Sequence, residues 1–417
     1  MAGLNNKRIW ENIIFYKCSI LPEINDFKLE SNVLMHIPSD EETHLHICRN
    51  KIAIYEKSLT NGKNWEYFKK IVNPYEIVYT QKKYDNFPES VCILKPLSRS
   101  YFKMIEILDI IHFFDTIPFN IRTAHVCEGP GGFIEALFDQ APKHNKNIET
   151  SVAMTLRPYK TNIPGWRRAT NFLKRNKNIF IIFGQDNTGN IIKPENQQSY
   201  IDYVEESSGG KKVHIFTADG GFDFSCDYMK QEQMVFPLLI ASIKIGFDVL
   251  CKGGTFILKL IDFYNKATVD LLYFMSCHFE EWTLYKPHMS RPCNPEQYFI
   301  GKGFTGCSDE IMDILRIWCS IVENNQSLDS LFTTMPASSN EFTDIINRIR
   351  ENSFNSQIEY LERVFVIIEK NDDRLIMDYL KKNEKTSYEW CVRFSVPIYE
   401  KGLIEELHND LPVFSQQ

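Results

Sequence analysis

Hydrophobic and polar positions fall into two kinds of segment over the middle of the chain. Short apolar runs such as RTAHVC, SVAMTL, VHIFTAD and GTFILKL predict buried strands. Longer segments with apolar residues three or four positions apart, such as GFIEALFDQA and MKQEQMVFPLLIASIKIGF, predict helices between them. This repeated alternation predicts a doubly wound α/β fold with a mostly parallel sheet.

The end of this pattern differs from its beginning. EWTLYKP and EQYFIGK are strand-like runs with only a loop between them, which predicts an antiparallel edge strand in a seven-stranded sheet. We expect the α/β domain to span residues 89–305. Residues 1–88 have a mixed pattern, whereas three segments within residues 306–417 have helical spacing, so we expect a helical C-terminal region.

Composition excludes several classes of protein. With 417 residues, 43% hydrophobic and 24% charged, the chain is typical of a globular protein of two or three domains. Its net charge of -7 gives no general sign of nucleic-acid binding, so any such function depends on a local basic patch. The N-terminus lacks a signal-peptide core, and the longest apolar segment contains Lys244 and Asp248, so we expect no membrane span and a cytoplasmic location.

The cysteines indicate a reducing compartment. Eleven are scattered along the chain without a CxxC pair, which favours reduced thiols. THLHIC brings His44, His46 and Cys48 close together, but no second ligand pair follows at zinc-finger spacing. We therefore expect a strand there and no metal site.

A glycine-rich loop, CEGPGGF, follows the first predicted strand. In an open α/β sheet, ligands bind at the carboxyl ends of strands, and glycine lets them approach the backbone. The spacing of Gly129, Gly131 and Gly132 matches neither the dinucleotide nor the Walker pattern, and Pro130 removes an N–H group. By itself, the loop is equally compatible with a ligand seat and with a plain turn.

Two charged residues at predicted strands favour the ligand seat. Lys259 lies inside the apolar run GTFILKL, where a buried, unpaired lysine is costly, unless its side chain reaches water at the strand end. Asp219 follows another strand in TADGGFD, where an Asp-Gly turn is the simpler interpretation. An aspartate at the carboxyl end of a strand is nevertheless well placed for chemistry.

Two further residues have simpler interpretations when they are taken alone. Lys103 shares a helical face with Glu106 and Asp109, which favours a solvated face. Glu296 begins the strand EQYFIGK, as a loop carboxylate would.

The ordered motifs CEGPGGF, DNTG, TADGGFD, GGTFILKL and KPHMSRPCNPEQYFI resemble those of the RrmJ/FtsJ-type ribose 2′-O-methyltransferases. The similarity covers Ser98 to Phe304 and is strongest to the eukaryotic and viral mRNA cap members. It implies a Rossmann-like methyltransferase fold, S-adenosylmethionine (SAM) as cofactor and the 5′ end of capped mRNA as substrate.

The resemblance also implies site residues. The catalytic Lys-Asp-Lys-Glu tetrad of the family falls on Lys103, Asp219, Lys259 and Glu296. In this mechanism Lys259 removes the 2′-hydroxyl proton, which requires a lowered pKa; burial and Lys103 would supply it. The implied cofactor residues are Glu128, Gly129, Pro130, Gly131, Gly132, Phe133, Asp186, Asn187 and Asp219. The resemblance implies no metal.

One position departs from the family pattern, because many members carry Asp where His125 stands. This departure keeps a second hypothesis open, a catalytically silent RNA-binding or scaffold protein on the same fold. A non-cap RNA 2′-O-methyltransferase is the third.

RNA contacts are predicted from a local excess of positive charge. Residues 151–185 contain seven basic residues and no Asp or Glu. Basic and aromatic side chains together suit single-stranded RNA, although a solvated basic helix is an equal alternative for part of the segment. The predicted contacts are Arg157, Lys160, Trp166, Arg167 and Arg168, together with Ser290 and Arg291, which the resemblance places at the reacting nucleotide.

Overall fold

A single twisted sheet organises the chain. The computed structural model describes residues 13–32, 38–58, 64–80, 87–158, 165–221, 230–336 and 339–399. Its strands are β1 (Tyr16–Lys17), β2 (Asn120–Val126), β3 (Asn147–Met154), β4 (Ile179–Ile182), β5 (Val213–Ala218), β6 (Leu250–Ile261), β7 (Phe279–Tyr285) and β8 (Glu296–Phe304).

The strand order β1-β7-β8-β6-β5-β2-β3-β4 confirms the predicted fold class. Strands β2 to β6 are parallel to one another, and β8 runs antiparallel to both β6 and β7. Two details differ from expectation. The sheet has eight strands, because the two-residue strand β1 pairs with β7. The antiparallel strand β8 is not at the edge of the sheet, since it inserts between β6 and β7.

Helices cover both faces of the sheet. They are α1 (Asp40–Ser58), α2 (Trp65–Ile71), α3 (Ser100–Ile110), α4 (Phe113–Thr116), α5 (Gly132–Gln140), α6 (Thr170–Arg175), α7 (Pro194–Ser207), α8 (Gln231–Val249), α9 (Lys266–Ser276), α10 (Asp309–Glu323), α11 (Ser339–Lys370) and α12 (Asp373–Arg393). Helices α7 to α10 pack on one face and α3, α4, α5 and the end of α12 on the other. None of these helices is both apolar and long enough to cross a bilayer.

The two terminal regions share a hydrophobic core. Residues of α1 and α2 pack with the second half of α11 and with α12, whereas the first half of α11 packs against the sheet layer. The predicted strand at THLHIC is wrong, since these residues lie in α1. Leu45, Cys48 and Ile52 recur at helical spacing and are buried in this shared core.

Candidate functional site

A cleft of about 550 Å³ opens at the carboxyl edge of the parallel strands. Loops after β2, β3, β4 and β5 meet the start of α3 there, as the strand order requires of an open α/β sheet. The residues that line it are Ser98, Arg99, Ser100, Cys127, Gly129, Pro130, Thr155, Leu156, Gly189, Asn190, Ile191, Ile192, Asp219, Gly221, Leu238 and Lys259.

The glycine loop forms one wall of this cleft. Gly129 and Pro130 line it directly, and the peptide bond between them is cis. Gly131 has a φ of 104°, and a Cβ there would lie 3.1 Å from the ring of Trp166. A Cβ on Gly132 would collide with the start of α3, including the Tyr101 amide nitrogen at 2.9 Å. These two glycines therefore serve packing behind the loop, whereas Gly129 and Pro130 face the cleft.

A hydrogen-bonded relay runs from inside the sheet to this loop. The Thr217 hydroxyl donates to Glu128 Oε1 at 2.5 Å and lies 2.8 Å from His125 Nδ1. Because the Thr217 hydroxyl gives its only proton to Glu128, the protonated nitrogen of His125 is Nδ1, which donates to the Thr217 oxygen. His125 Nε2 then accepts from the Thr123 hydroxyl at 2.8 Å. Burial lowers the pKa of His125 to about 3. His125 is thus a neutral interior residue that supports Glu128 through Thr217.

Glu128 is a buried carboxyl at the edge of the cleft. Its side chain is 3% exposed, and its Oε2 has no hydrogen-bond partner within the described part of the chain. Burial, followed by the nearby charge of Asp219, raises its pKa well above the ordinary value. Glu128 therefore keeps one buried oxygen without a hydrogen bond, between Cys127 and Gly129, which line the cleft.

Two ion pairs stand side by side at the mouth of the cleft. Lys103 Nζ lies 2.5 Å from Glu296 Oε1, and Lys259 Nζ lies 3.2 Å from Asp219 Oδ1. Lys259 also donates to the Asp219 carbonyl oxygen at 2.8 Å. All four side chains are between 11% and 14% exposed. The fold thus brings together the four residues predicted as a tetrad, from α3, β6, β8 and the loop after β5.

Tyr298 joins the two pairs, and the sequence analysis missed it. Its hydroxyl donates to Asp219 Oδ1 at 2.8 Å and is 3.3 Å from Glu296 Oε1. Glu296 and Tyr298 are two positions apart on β8 and so share a face, and the antiparallel register sets Tyr298 opposite Lys259. This period of two in EQY was the available signal.

The expected lowering of the Lys259 pKa is wrong for this structure. Burial lowers the pKa of Lys259, but the charges of Asp219 and Glu296 and the hydrogen bond to Asp219 outweigh burial. The result is a pKa above the ordinary value. Conversely, burial raises the pKa of Glu296, but the Lys103 and Lys259 ammonium groups reverse this and hold it well below its usual range. The site therefore contains two ion pairs, Lys103–Glu296 and Lys259–Asp219.

A third lysine, also missed, supports the tetrad from behind. Lys286 donates to the carbonyl oxygens of Asn294 and Glu296 at 2.5 and 3.0 Å. Burial, together with the neighbouring Lys103, lowers its pKa to about 8 against the attraction of Glu296. Lys286 closes the loop between β7 and β8 and so fixes the start of β8.

The interpretation of α3 as a solvated face is wrong for most of that face. Glu106 is fully buried because its carboxylate is a hub between α3, the loop after β7 and α12. It accepts hydrogen bonds from Tyr285 Oη, the amides of His288 and Met289, and Trp390 Nε1. Beside this hub, Ser290 Oγ is buried and has no partner among the described residues.

Arg291 does not fit its predicted role as an RNA contact. Its guanidinium donates twice to the buried carboxylate of Glu76, at 3.0 Å each. Arg99 adds a second cation 3.6 Å from the same carboxylate. Burial raises the pKa of Glu76, but Arg99 and Arg291 reverse this and bring it to about 2. The charge of Arg291 is therefore used to fix the loop after β7 to the N-terminal region.

Asp186 and Asn187 lie outside the lining of the cleft, which corrects their predicted role. Both oxygens of Asp186 are used locally: they accept from Thr188, Lys193 and Asn196. The turn that they stabilise instead presents residues 189–192 to the cleft. Phe133 is also set back, fully buried with its ring centroid 5.8 Å from that of Tyr298.

The predicted basic surface is partly accessible. Arg157, Arg167 and Arg168 are exposed, and the Arg157 guanidinium lies 4.5 Å from the ring centroid of Phe183. Trp166 is half-buried over Gly131, so it packs on the glycine loop and is not an open stacking surface. Lys160 lies outside the described residues.

Comparison with known proteins identifies the middle of the chain. The family model described as FtsJ-like methyltransferase matches residues 96–304. The human cap-specific mRNA (nucleoside-2′-O-)-methyltransferase 1 is 30% identical over 255 residues, which are 59% of this chain and 30% of the relative. The protein of the same name from Dictyostelium discoideum is 30% identical over 222 residues, 49% of this chain and 28% of the relative.

This chain therefore spans less than a third of the length of these curated relatives. Among solved structures, one described as a ribosomal RNA methyltransferase from Plasmodium falciparum matches with a TM-score of 0.36 and 20% identity. The match covers 51% of this chain and all of that one.

Proposed function

Because the chain belongs to the FtsJ-like methyltransferase family, we propose that it is a SAM-dependent ribose 2′-O-methyltransferase that acts on the cap-proximal nucleotides of mRNA. One observation carries the proposal. Two lysine–carboxylate pairs, joined by Tyr298, stand at the mouth of a cleft at the carboxyl edge of the sheet. The names of the cap-specific relatives support the choice of substrate.

The residues around the glycine loop fit the cofactor. Glu128 has a buried oxygen without a hydrogen-bond partner among the described residues, which would suit a ligand amino or hydroxyl group. Gly129, Pro130 and Asp219 lie beside it on the wall of the cleft. When bound, SAM supplies an electrophilic methyl group on a positively charged sulfonium. Two carboxyl groups in a largely buried cleft are compatible with that charge.

Lys259 would act on the ribose hydroxyl. The charges of Asp219 and Glu296 raise its pKa and so favour the ammonium form. The positive charge that SAM carries would lower the pKa of Lys259, so that its ammonium would release one proton to solvent and the neutral amine would accept the 2′-hydroxyl proton. Asp219 and Tyr298 fix the direction of the amine, and the Lys103–Glu296 pair borders the position of the ribose.

RNA would enter past the exposed basic surface. Arg157, Arg167 and Arg168 are available for phosphate contacts. Ser290, in the loop between β7 and β8, has a hydroxyl oxygen without a hydrogen-bond partner among the described residues. Lys160 belongs to the same basic segment of the sequence. Since the whole protein carries a net charge of -7, this local bias would direct RNA to one side of the molecule.

Lys259→Met tests the proposal, because it removes the amine and keeps a long side chain. The measurement is methyl transfer from labelled SAM to capped and to uncapped RNA. We expect the rate to fall by about 10²- to 10⁴-fold, while SAM and RNA binding persist. Lys252→Met is the matched control, since Lys252 is an exposed lysine near the beginning of the same strand.

Three results would contradict parts of the proposal. Wild-type protein that binds RNA but neither binds SAM nor transfers methyl would be a silent RNA-binding protein. Equal rates on capped and uncapped RNA would show that the protein does not require the cap in its substrate. Full activity of Lys259→Met would show that Lys259 is not required for methyl transfer.

A further inference from the structure

A group of side chains that could bind a metal ion lies away from the cleft, between α1 and α11. His44 and Cys48 are four positions apart in α1, so they lie on the same face of that helix. Glu362 projects from α11 towards them. The ligating atoms of the three residues all lie within 4.8 Å of one another.

All three side chains are available to a ligand. None of them makes a hydrogen bond or an ion pair with another side chain in the described ranges. Cys48 is 1% exposed and forms the floor of the group, whereas His44 and Glu362 are exposed at its rim. An ion can therefore enter from solvent and reach the thiol between the two exposed side chains.

The surrounding core holds the two helices in place. Leu45 and Ile52 of α1 are buried in the same cluster as Phe354, Leu361 and Phe365 of α11. Because this packing fixes the two backbones, only the exposed side chains need to rotate for all three atoms to reach a common ion. Zinc–ligand bonds of about 2.0–2.3 Å require only that small adjustment.

We propose that His44, Cys48 and Glu362 form a binding site for Zn²⁺. A thiolate, an imidazole and a carboxylate are all ligands of zinc, and the thiolate disfavours Mg²⁺ and Ca²⁺, which prefer oxygen. On binding, the Cys48 thiol releases its proton to solvent and the sulfur forms the metal bond. The fourth position is left to water, and the ion links α1 to α11. The site is independent of the proposed methyl transfer.

Cobalt binding to the purified full-length protein tests this proposal. We expect metal-free wild-type protein to bind one Co²⁺ with a near-ultraviolet sulfur-to-cobalt charge-transfer band that Zn²⁺ abolishes by displacement. Cys48→Ser should lose the band. His44→Ala and Glu362→Gln should weaken Zn²⁺ binding by about tenfold or more, since loss of even a group that only hydrogen-bonds to a metal ligand costs about 10- to 100-fold.

Controls separate this site from other thiols and imidazoles. Cys307→Ser and His112→Ala should keep the band and the affinity, since both residues lie outside the group. Because His44 and Glu362 are exposed, their variants test the site even if Cys48→Ser fails to fold. Absence of Co²⁺ binding by wild type, or a band that persists in folded Cys48→Ser, would overturn the proposal.

Discussion

Replacing Tyr298 with Phe removes a single hydroxyl from the centre of the proposed active site. That hydroxyl donates to Asp219 at 2.8 Å and lies 3.3 Å from Glu296. The ring is fully buried, so Phe fills the same space. Asp219 would keep its ion pair with Lys259 but lose the group that fixes its orientation.

The expected cost follows from the hydrogen bond. A hydrogen bond to a charged group contributes about 1.5–3 kcal/mol net. If that energy is needed to hold Asp219 and Lys259 in the reacting geometry, its loss lowers kcat by about 10- to 100-fold. We expect a smaller change in KM for RNA, because the hydroxyl does not lie on the basic surface.

Tyr101→Phe is the matched control. Its hydroxyl donates to Asp139 at 3.0 Å, the residue is 1% exposed, and the contact lies on α5, away from the tetrad. Both variants should lower the free energy of unfolding in urea to a similar extent. Only Tyr298→Phe should lower kcat in the methyl-transfer assay.

One outcome would refute this reasoning. If both variants lose similar stability and both keep the wild-type kcat, Tyr298 contributes to folding alone. The geometry of Asp219 would then not depend on its hydrogen bond to the tyrosine.

Two further predictions concern titration in the relay behind the glycine loop. Wild type should lose stability relative to Glu128→Gln as the pH rises above the ordinary carboxyl pKa. The raised folded pKa makes the contribution of Glu128 fully present below that value, and it is lost by about 1.4 kcal/mol per pH unit up to the folded pKa. Urea unfolding at several pH values checks this, and a constant difference between the two proteins would contradict it. The pH dependence of stability that His125 contributes has the opposite sign. Its pKa falls from 6.5 to about 3, so its stabilising contribution is lost as pH falls. Between pH 7 and 5, wild type should lose about 2 kcal/mol more than His125→Gln, and parallel unfolding curves would refute this.

The local patterns were sufficient for most of the fold. Apolar runs predicted the central strands, and helical spacing predicted the C-terminal helices. The strand assigned to THLHIC failed because short apolar alternation does not distinguish a strand from a helix with one buried face. The insertion of β8 between two other strands depends on pairing partners that are distant in sequence.

The residues of the candidate site were likewise predicted only in part. Lys103, Asp219, Lys259 and Glu296 could be selected because their motifs occur in the family order. Tyr298 was not selected, because an aromatic residue in a strand is usually part of the core, although it lies two positions from Glu296 on the same strand. The role of Arg291 was misjudged because its partner, Glu76, belongs to a region with no motif.

The sequence by itself determined where strands and helices form, that glycines follow β2, and which charged residues stand at strand ends. These properties depend on neighbours a few positions away. Only the tertiary structure decided how those charges interact. Lys259 lies between two carboxylates and gains a pKa above its ordinary value, Glu106 is buried as a hub, and His44 and Cys48 meet Glu362. The reason is that burial and Coulomb energy depend on distances in space, which the fold sets between segments far apart in the chain.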